Sequence, residues 1–295
     1  MREAPIKEQA RRPGALKDFA VRTFTALAMG AVLVSADLWG TMLVWSLVVA
    51  GVAVPCAIEF YRMMRTERRK PNEVFGIAAV AAMPVAAAIY ATRAVSGAST
   101  ASQLGAIGLT AVTGGLLLAA LVWHILFKQV SASDTATTVF GAMYTGFMLS
   151  HLVLLRALDS GAELVIVVLS CVWAMDVLAY LVGTAIGTHR LAPHISPKKS
   201  WEGFAAGTAG TMLAWGIGWL VTGSSLPLWW FLLTGAVVSV TALLGDLAES
   251  RLKREVGVKD SGTWFPGHGG FLDRFDSMIM VAIVAYYMLV FGGAR

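Results

Sequence analysis

Charge is what this sequence has least of. Only 14% of its 295 residues are Asp, Glu, Lys or Arg, while 57% are hydrophobic, and a water-soluble chain of this length needs a far more charged coat. Cysteine is nearly absent too. Cys56 and Cys171 both fall inside apolar runs, which argues against a disulfide framework and for two small buried side chains. No GxxxxGK[ST], GxSxG or HExxH pattern occurs, so neither a P-loop, a serine nucleophile elbow nor a zincin site is present. Internal repeats and low-complexity tracts are also missing.

What remains is a set of apolar runs that reach the ~20 residues a helix needs to cross a bilayer. Nine spans are expected, at about 20–36, 39–60, 74–92, 104–127, 136–157, 162–184, 203–222, 227–247 and 274–292. The fold class is therefore all-α, a polytopic integral membrane helical bundle of about nine transmembrane helices. The basic, polar N-terminus "MREAPIKEQARRPGALKDFAVR" is too long for a typical signal peptide and reads as a cytoplasmic tail. With it inside, 20 of the 23 Lys and Arg residues fall on the cytoplasmic side, and only Arg93, Arg156 and Arg295 lie outside. The net charge of +5 then reflects positive-inside loops, and no nucleic-acid partner is expected. Three regions follow: a tail at 1–19, N-terminal transmembrane helices at 20–160, and a catalytic transmembrane region at 161–295 with cytoplasmic loops 185–202 and 248–273. Glycine-rich runs such as "VTGGLLLAA" (112–120) fit close helix packing in lipid.

Against this background one stretch stands out. Residues 246–276 hold Asp246, Glu249, Glu255, Asp260, Asp273 and Asp276, six of the 18 carboxylates, together with Arg251, Lys253, Arg254, Lys259 and Arg274. Asp246 and Glu249 are three apart and share a helix face where the eighth span leaves the membrane; Asp273 and Asp276 do the same where the ninth enters. If these spans pack antiparallel, the two acidic pairs meet and repel unless a cation lies between them. Mg²⁺ is the natural candidate, because it takes oxygen ligands from one or two carboxylates and completes its shell with water and phosphate oxygens. Between the pairs runs "PGHGG" (266–270). Gly269 and Gly270 let the backbone approach a phosphate closely. Lys259 and Arg274 add positive charge, and the Arg fork suits phosphate oxygens. Metal-assisted phosphoryl or nucleotidyl transfer needs no covalent nucleophile, since positioning and charge neutralisation do most of the work.

The segment "SRLKREVGVKDSGTWFPGHGGFLDRFDS" (250–277) resembles the signature of the CDP-diacylglycerol synthases, or phosphatidate cytidylyltransferases: Ser-x-x-Lys-Arg, then Lys-Asp, then His-Gly-Gly, then Asp-Arg-x-Asp. Its anchors here are Ser250, Lys253, Arg254, Lys259, Asp260, His268, Gly269, Gly270, Asp273, Arg274 and Asp276. "SPKKSWEG" (196–203) is similar to a second family motif, Ser-Pro-x-Lys-Thr-x-Glu-Gly. The likeness is strong over about 170–280 and general before that. It implies transfer of a cytidylyl group from CTP to phosphatidate, with release of pyrophosphate, Mg²⁺ as cofactor and a second cation in the site. It implies metal binding by Asp246 and Asp273 with Asp276 close by, and nucleotide contacts from Ser196, Lys198, Lys199, Ser200 and Glu202, with Lys253 and Arg254 as further anchors. His268 is expected to donate a hydrogen bond to the leaving pyrophosphate, or alternatively to anchor its loop.

Two positions depart from the family pattern. Ser200 stands where Thr is usual, which keeps the hydroxyl. The sixth span reads Asp176-Val177-Leu178-Ala179-Tyr180 and then Gly183-Thr184, where the family tends to have Thr after the Asp and Arg after the Gly; lipid and nucleotide preference stay open on that account. Asp176 lies about 12 Å inside its span at helical rise. A charge at that depth ordinarily faces a cavity, so Asp176 is expected to line the active-site cavity, with a helix–helix hydrogen bond as the alternative. The expected setting is a bacterial inner membrane, with the active site facing the cytoplasm, and a homodimer through small-residue helix faces is compatible with the sequence. Three other readings stay open at this point: a CTP-dependent transferase for another lipid phosphate, an ion-coupled transporter, and an inactive paralogue serving as a scaffold.

Overall fold

In hydrocarbon a chain must satisfy its backbone N–H and C=O groups within itself, and continuous helices do this most simply. The computed structural model describes residues 28–66, 69–92, 101–264 and 269–294, and they are overwhelmingly helical. The helices are α1 Ala28–Trp39, α2 Met42–Thr66, α3 Glu73–Ala91, α4 Ala101–Leu126, α5 Ala132–Arg156, α6 Gly161–Ile186, α7 Trp201–Thr222, α8 Leu228–Glu255 and α9 Leu272–Gly292. They match the nine expected spans one for one. Seven are long and apolar enough to cross a membrane; α1 and α3 give shorter apolar stretches. The expected start of the first span and the tail at 1–19 lie outside the described residues.

Local signals set the ends. Ser131 and Asp134 form a capping box at the start of α5, and the Ser200 hydroxyl accepts from the Gly203 N–H (3.2 Å) to open α7. Gly223 and Gly293 close α7 and α9 in the left-handed conformation, at φ +57° and +104°. Helix α5 widens to a π turn at Met143–Phe147. The 185–202 loop is not irregular: β1 Arg190–Ala192 and β2 Ser196–Ser200 form a small antiparallel hairpin.

Close packing occurs elsewhere than the "VTGGLLLAA" run suggests. Cβ atoms placed at Gly114 and Gly115 would meet nothing within 4 Å among the described residues, because that face of α4 is open. One tight contact lies between α6 and α7. A Cβ at Gly203 would come within 2.6 Å of the Ala179 carbonyl oxygen, and one at Gly207 within 2.7 Å of the Met175 sulfur. Helices α8 and α9 pack antiparallel as expected, tied by Ser277 Oγ donating to Ala242 O (3.0 Å) and Trp230 Nε1 donating to Met288 O (2.9 Å).

Chain direction alternates, so the connections after α2, α4, α6 and α8 gather at one end of the bundle. They are stitched together there. The Asp134 carboxylate accepts from Lys70 N (2.6 Å), Thr138 Oγ1 accepts from Asn72 N (2.7 Å), and Arg69 pairs with Glu255 (3.8 Å). At the other end Arg156 forms an ion pair with the buried Asp37 carboxylate (2.9 Å) and donates to the Asp37 and Gly40 carbonyls, joining α5 to the turn between α1 and α2.

Candidate active site

The hairpin, the end of α8 and the start of α9 converge at the first of these ends. Glu202, in the first turn of α7, accepts from Thr188 Oγ1 (2.9 Å) and His189 N (3.2 Å), and His189 Nδ1 lies 2.6 Å from the same carboxylate. Trp201 N donates to His189 O (3.0 Å). Glu202 therefore closes the base of the hairpin. Ser196 stands in its pairing with Ala192, while the Lys198 carbonyl faces Arg190. So held, β2 directs Lys199 across to α8, where its ammonium reaches the Asp246 carboxylate (2.5 Å).

Asp246 has company. At Gly245 α8 and α9 approach closely: a Cβ there would lie 2.6 Å from the Asp276 carbonyl oxygen. Asp276 feels the charges of Asp246, Asp176 and Lys199, and Asp176 feels those of Asp246, Lys199 and Arg274. Carboxylates from α6, α8 and α9 thus lie near one another, with Lys199 and Arg274 close by. Asp176 is exposed in mid-helix, within reach of these charges.

Asp273 is placed differently. Its Oδ1 takes the Lys253 ammonium (2.5 Å), and its Oδ2 accepts from Ser261 N (2.9 Å), Ser261 Oγ (2.8 Å) and Gly270 N (2.7 Å). Lys253 also pairs with Glu249, one helical turn back and fully buried. Both oxygens of Asp273 are engaged, so its work in this structure is to pin the loop between α8 and α9. Gly269 sits at φ +77° in that loop, a conformation natural to glycine. Arg254 donates to Val258 O (3.3 Å) just beyond α8, and Lys259 is exposed. His268 lies outside the described residues.

One residue of this end was not anticipated. Glu59, on α2, is 1% exposed and accepts from Ser261 Oγ (2.9 Å), Phe271 N (3.1 Å) and Leu272 N (2.8 Å). A lone acid inside an apolar run was the available signal, the same one that drew attention to Asp176.

The profile of the "Cytidylyltransferase family" matches residues 20–291. The chain belongs to that family. Its curated relatives include proteins named phosphatidate cytidylyltransferase from Mycobacterium bovis, 36% identical over 203 residues (63% of this chain and 65% of the relative), from Synechocystis sp., 34% over 216 residues (61% and 69%), and from Bacillus subtilis, 38% over 175 residues (59% and 65%). The match spans just under two thirds of the length of the M. bovis and B. subtilis relatives. The resemblance drawn from the signature at 250–277 is thereby borne out, and as a cytidylyltransferase family member with seven membrane-length helices the chain is an integral membrane protein.

Proposed function

We propose that this protein transfers the cytidylyl group of CTP to phosphatidate, giving CDP-diacylglycerol and pyrophosphate, at the cytoplasmic face of a bacterial inner membrane. The observation that carries the reading is the gathering of Asp176, Asp246 and Asp276 near Lys199 and Arg274, beside a glycine-bearing loop at the end of the bundle where basic residues concentrate. Membership of the cytidylyltransferase family, and the name shared by its relatives, support the substrates.

The attacking group is a phosphate oxygen of the lipid, anionic near neutral pH, so no strong general base is needed. It displaces pyrophosphate at the α-phosphorus of CTP: one P–O bond forms as another breaks. Repulsion between two anions is the main barrier, and Lys199 and Arg274 would offset the charge that collects there. Lys259, exposed on the loop, would fold over the triphosphate, and Gly269 at φ +77° would turn the loop toward it. Lys253, Arg254, Ser196, Lys198 and Glu202 shape the surrounding walls, and His268 is assigned to the leaving pyrophosphate.

The donor set fits Mg²⁺. Among the described residues no cluster of three or more His, Cys, Asp or Glu side chains lies in ligating geometry, but this ion characteristically takes one or two carboxylates and fills its shell with water and phosphate. Asp246 and Asp276 would hold it, with Asp246 exchanging its Lys199 and Ser250 partners for the ion; Asp273, which carries four donors, would support them from the first turn of α9. The ion supplies neutralisation between the two phosphates when bound. Asp176 is the carboxylate left for a second cation. A homodimer belongs to the same reading, through the open Gly114–Gly115 face of α4.

The test is direct. Purified protein given CTP, phosphatidate and Mg²⁺ should release pyrophosphate, chelator should stop the release, and Asp246→Asn should reduce it about a thousandfold. Parallel reactions with dCTP and with other lipid phosphates read the specificity. Release that chelator and Asp246→Asn leave untouched would overturn the metal-assisted reading, and absence of release with phosphatidate would overturn the substrate assignment.

A further inference from the structure

An ionised carboxylate deep in a protein is costly unless several donors meet it. Glu59 is a buried carboxylate met by several donors, and among the described residues these donors come from more than 200 residues further along the chain. Oε2 accepts from Leu272 N (2.8 Å) and Ser261 Oγ (2.9 Å), and Oε1 accepts from Phe271 N (3.1 Å). The first turn of α9 also favours a negative charge at that spot. Two glycines are explained by the same carboxylate. A Cβ at Gly262 or at Gly270 would run into the Glu59 oxygens, so both positions stay bare to make room for Glu59.

The donors matter because of what else they hold. One of them, Ser261 Oγ, also grips Asp273 (2.8 Å), together with Ser261 N and Gly270 N, and Asp273 in turn takes Lys253. The Ser261 hydroxyl has one proton and two carboxylates within 3 Å, so Glu59 and Asp273 are coupled through it. A residue of α2, remote in sequence from the signature segment, thus sets the loop that the signature segment forms.

We infer that Glu59 is a positioning residue for the nucleotide: it fixes Ser261 and the first turn of α9, which carries Asp273 and Arg274, and through them the loop bearing Lys259 and Gly269. The inference rests on the proposed function for the identity of the nucleotide, but its structural half does not. A residue that merely glued α2 to α9 would change stability and leave substrate saturation alone. A positioning residue changes saturation by the substrate its loop holds and spares the other.

Glu59→Gln keeps the shape, removes the charge and turns an amide N–H₂ toward a donor. In the full chain in detergent, amide exchange over 258–273 should quicken about tenfold or more while α6 and α7 keep their protection. The KM for CTP should rise about tenfold with the KM for phosphatidate unchanged. Ser261→Ala should move both readouts the same way but less, since the two backbone donors remain, and it serves if Glu59→Gln fails to fold. Unchanged exchange over 258–273 in the folded variants would overturn the inference. So would faster exchange with saturation by both substrates unaltered. If the unaltered protein shows no CTP-dependent release of pyrophosphate, the proposed function falls, and the exchange comparison still decides whether Glu59 holds the loop.

Discussion

Asp273 and Asp276 stand three residues apart on the first turns of one helix, yet they live in opposite circumstances. Asp273 is met by an ammonium, two backbone N–H groups and a hydroxyl. Asp276 has a bond from the neighbouring Ser277 N (2.6 Å) and otherwise lies in the field of Asp246 and Asp176, with Lys199 the cation that offsets them. A carboxylate with all its partners supplied by the protein builds shape. One set against other carboxylates is built for something that arrives. The same end of the bundle thus contains a finished half, anchored on Glu59, Ser261, Lys253 and Asp273, and a less finished half of Asp176 and Asp276 beside Asp246, which among the described residues takes only Lys199 (2.5 Å) and Ser250 Oγ (3.2 Å).

The sharpest way to break this comparison is to neutralise each acid in turn. Asp276→Asn should cut cytidylyl transfer about a thousandfold and leave the thermal midpoint level or slightly higher without added cation, since one like charge disappears. Asp273→Asn should also impair transfer, but with a thermal midpoint lowered by several degrees. Removing it leaves Lys253 and the loop donors short of a partner, a loss of about 3 kcal/mol for a broken buried pair. If both variants lose stability alike, the division into finished and less finished halves is wrong.

That division was only partly legible in the sequence. Periodicity and length give nine helices because hydrocarbon leaves the chain little choice, and the antiparallel α8–α9 pair follows from two spans joined by a short polar loop. The acids could be listed but not sorted. Whether Asp273 or Asp276 keeps free oxygens depends on where Ser261 and Gly270 turn their N–H groups, which is a property of loop geometry. Glu249 shares a helix face with Asp246 as its spacing requires, yet it is fully buried against Lys253, since a shared face says nothing about the neighbouring helix. Glu59 shows the same limit from the other side. Its solitary charge was visible, but its partners lie more than 200 residues away, and no local pattern records that.

The far end of the bundle sharpens the comparison by contrast. Asp37 and Arg156 form a closed, buried pair there, remote from the convergence of hairpin, α8 and α9. Asp37→Asn should lower stability by roughly 3 kcal/mol, because Arg156 keeps its two carbonyl partners but loses its counter-charge. Its kcat per folded molecule and both KM values should match those of the unaltered protein. Thermal unfolding in detergent beside pyrophosphate release separates the two quantities. A changed KM for CTP would mean that the two ends are coupled through the helices.

The smallest effect should come from the cap that joins hairpin to helix. Ser200 Oγ accepts from Gly203 N, and its surroundings are tight: a Cβ at Gly183 would lie 3.1 Å from that oxygen, and one at Gly203 3.2 Å. Ser200→Ala removes the acceptor at a cost of about 1 kcal/mol. Because β2 carries Lys199 to Asp246, a loosened start of α7 should also lower kcat/KM for CTP a few-fold. Ser200→Thr keeps the oxygen and adds a methyl, and Thr is the usual residue at this place in the family motif. Restored or undiminished activity with Thr, against the loss with Ala, would assign the effect to the cap; equal losses in both would assign it to crowding against Gly183.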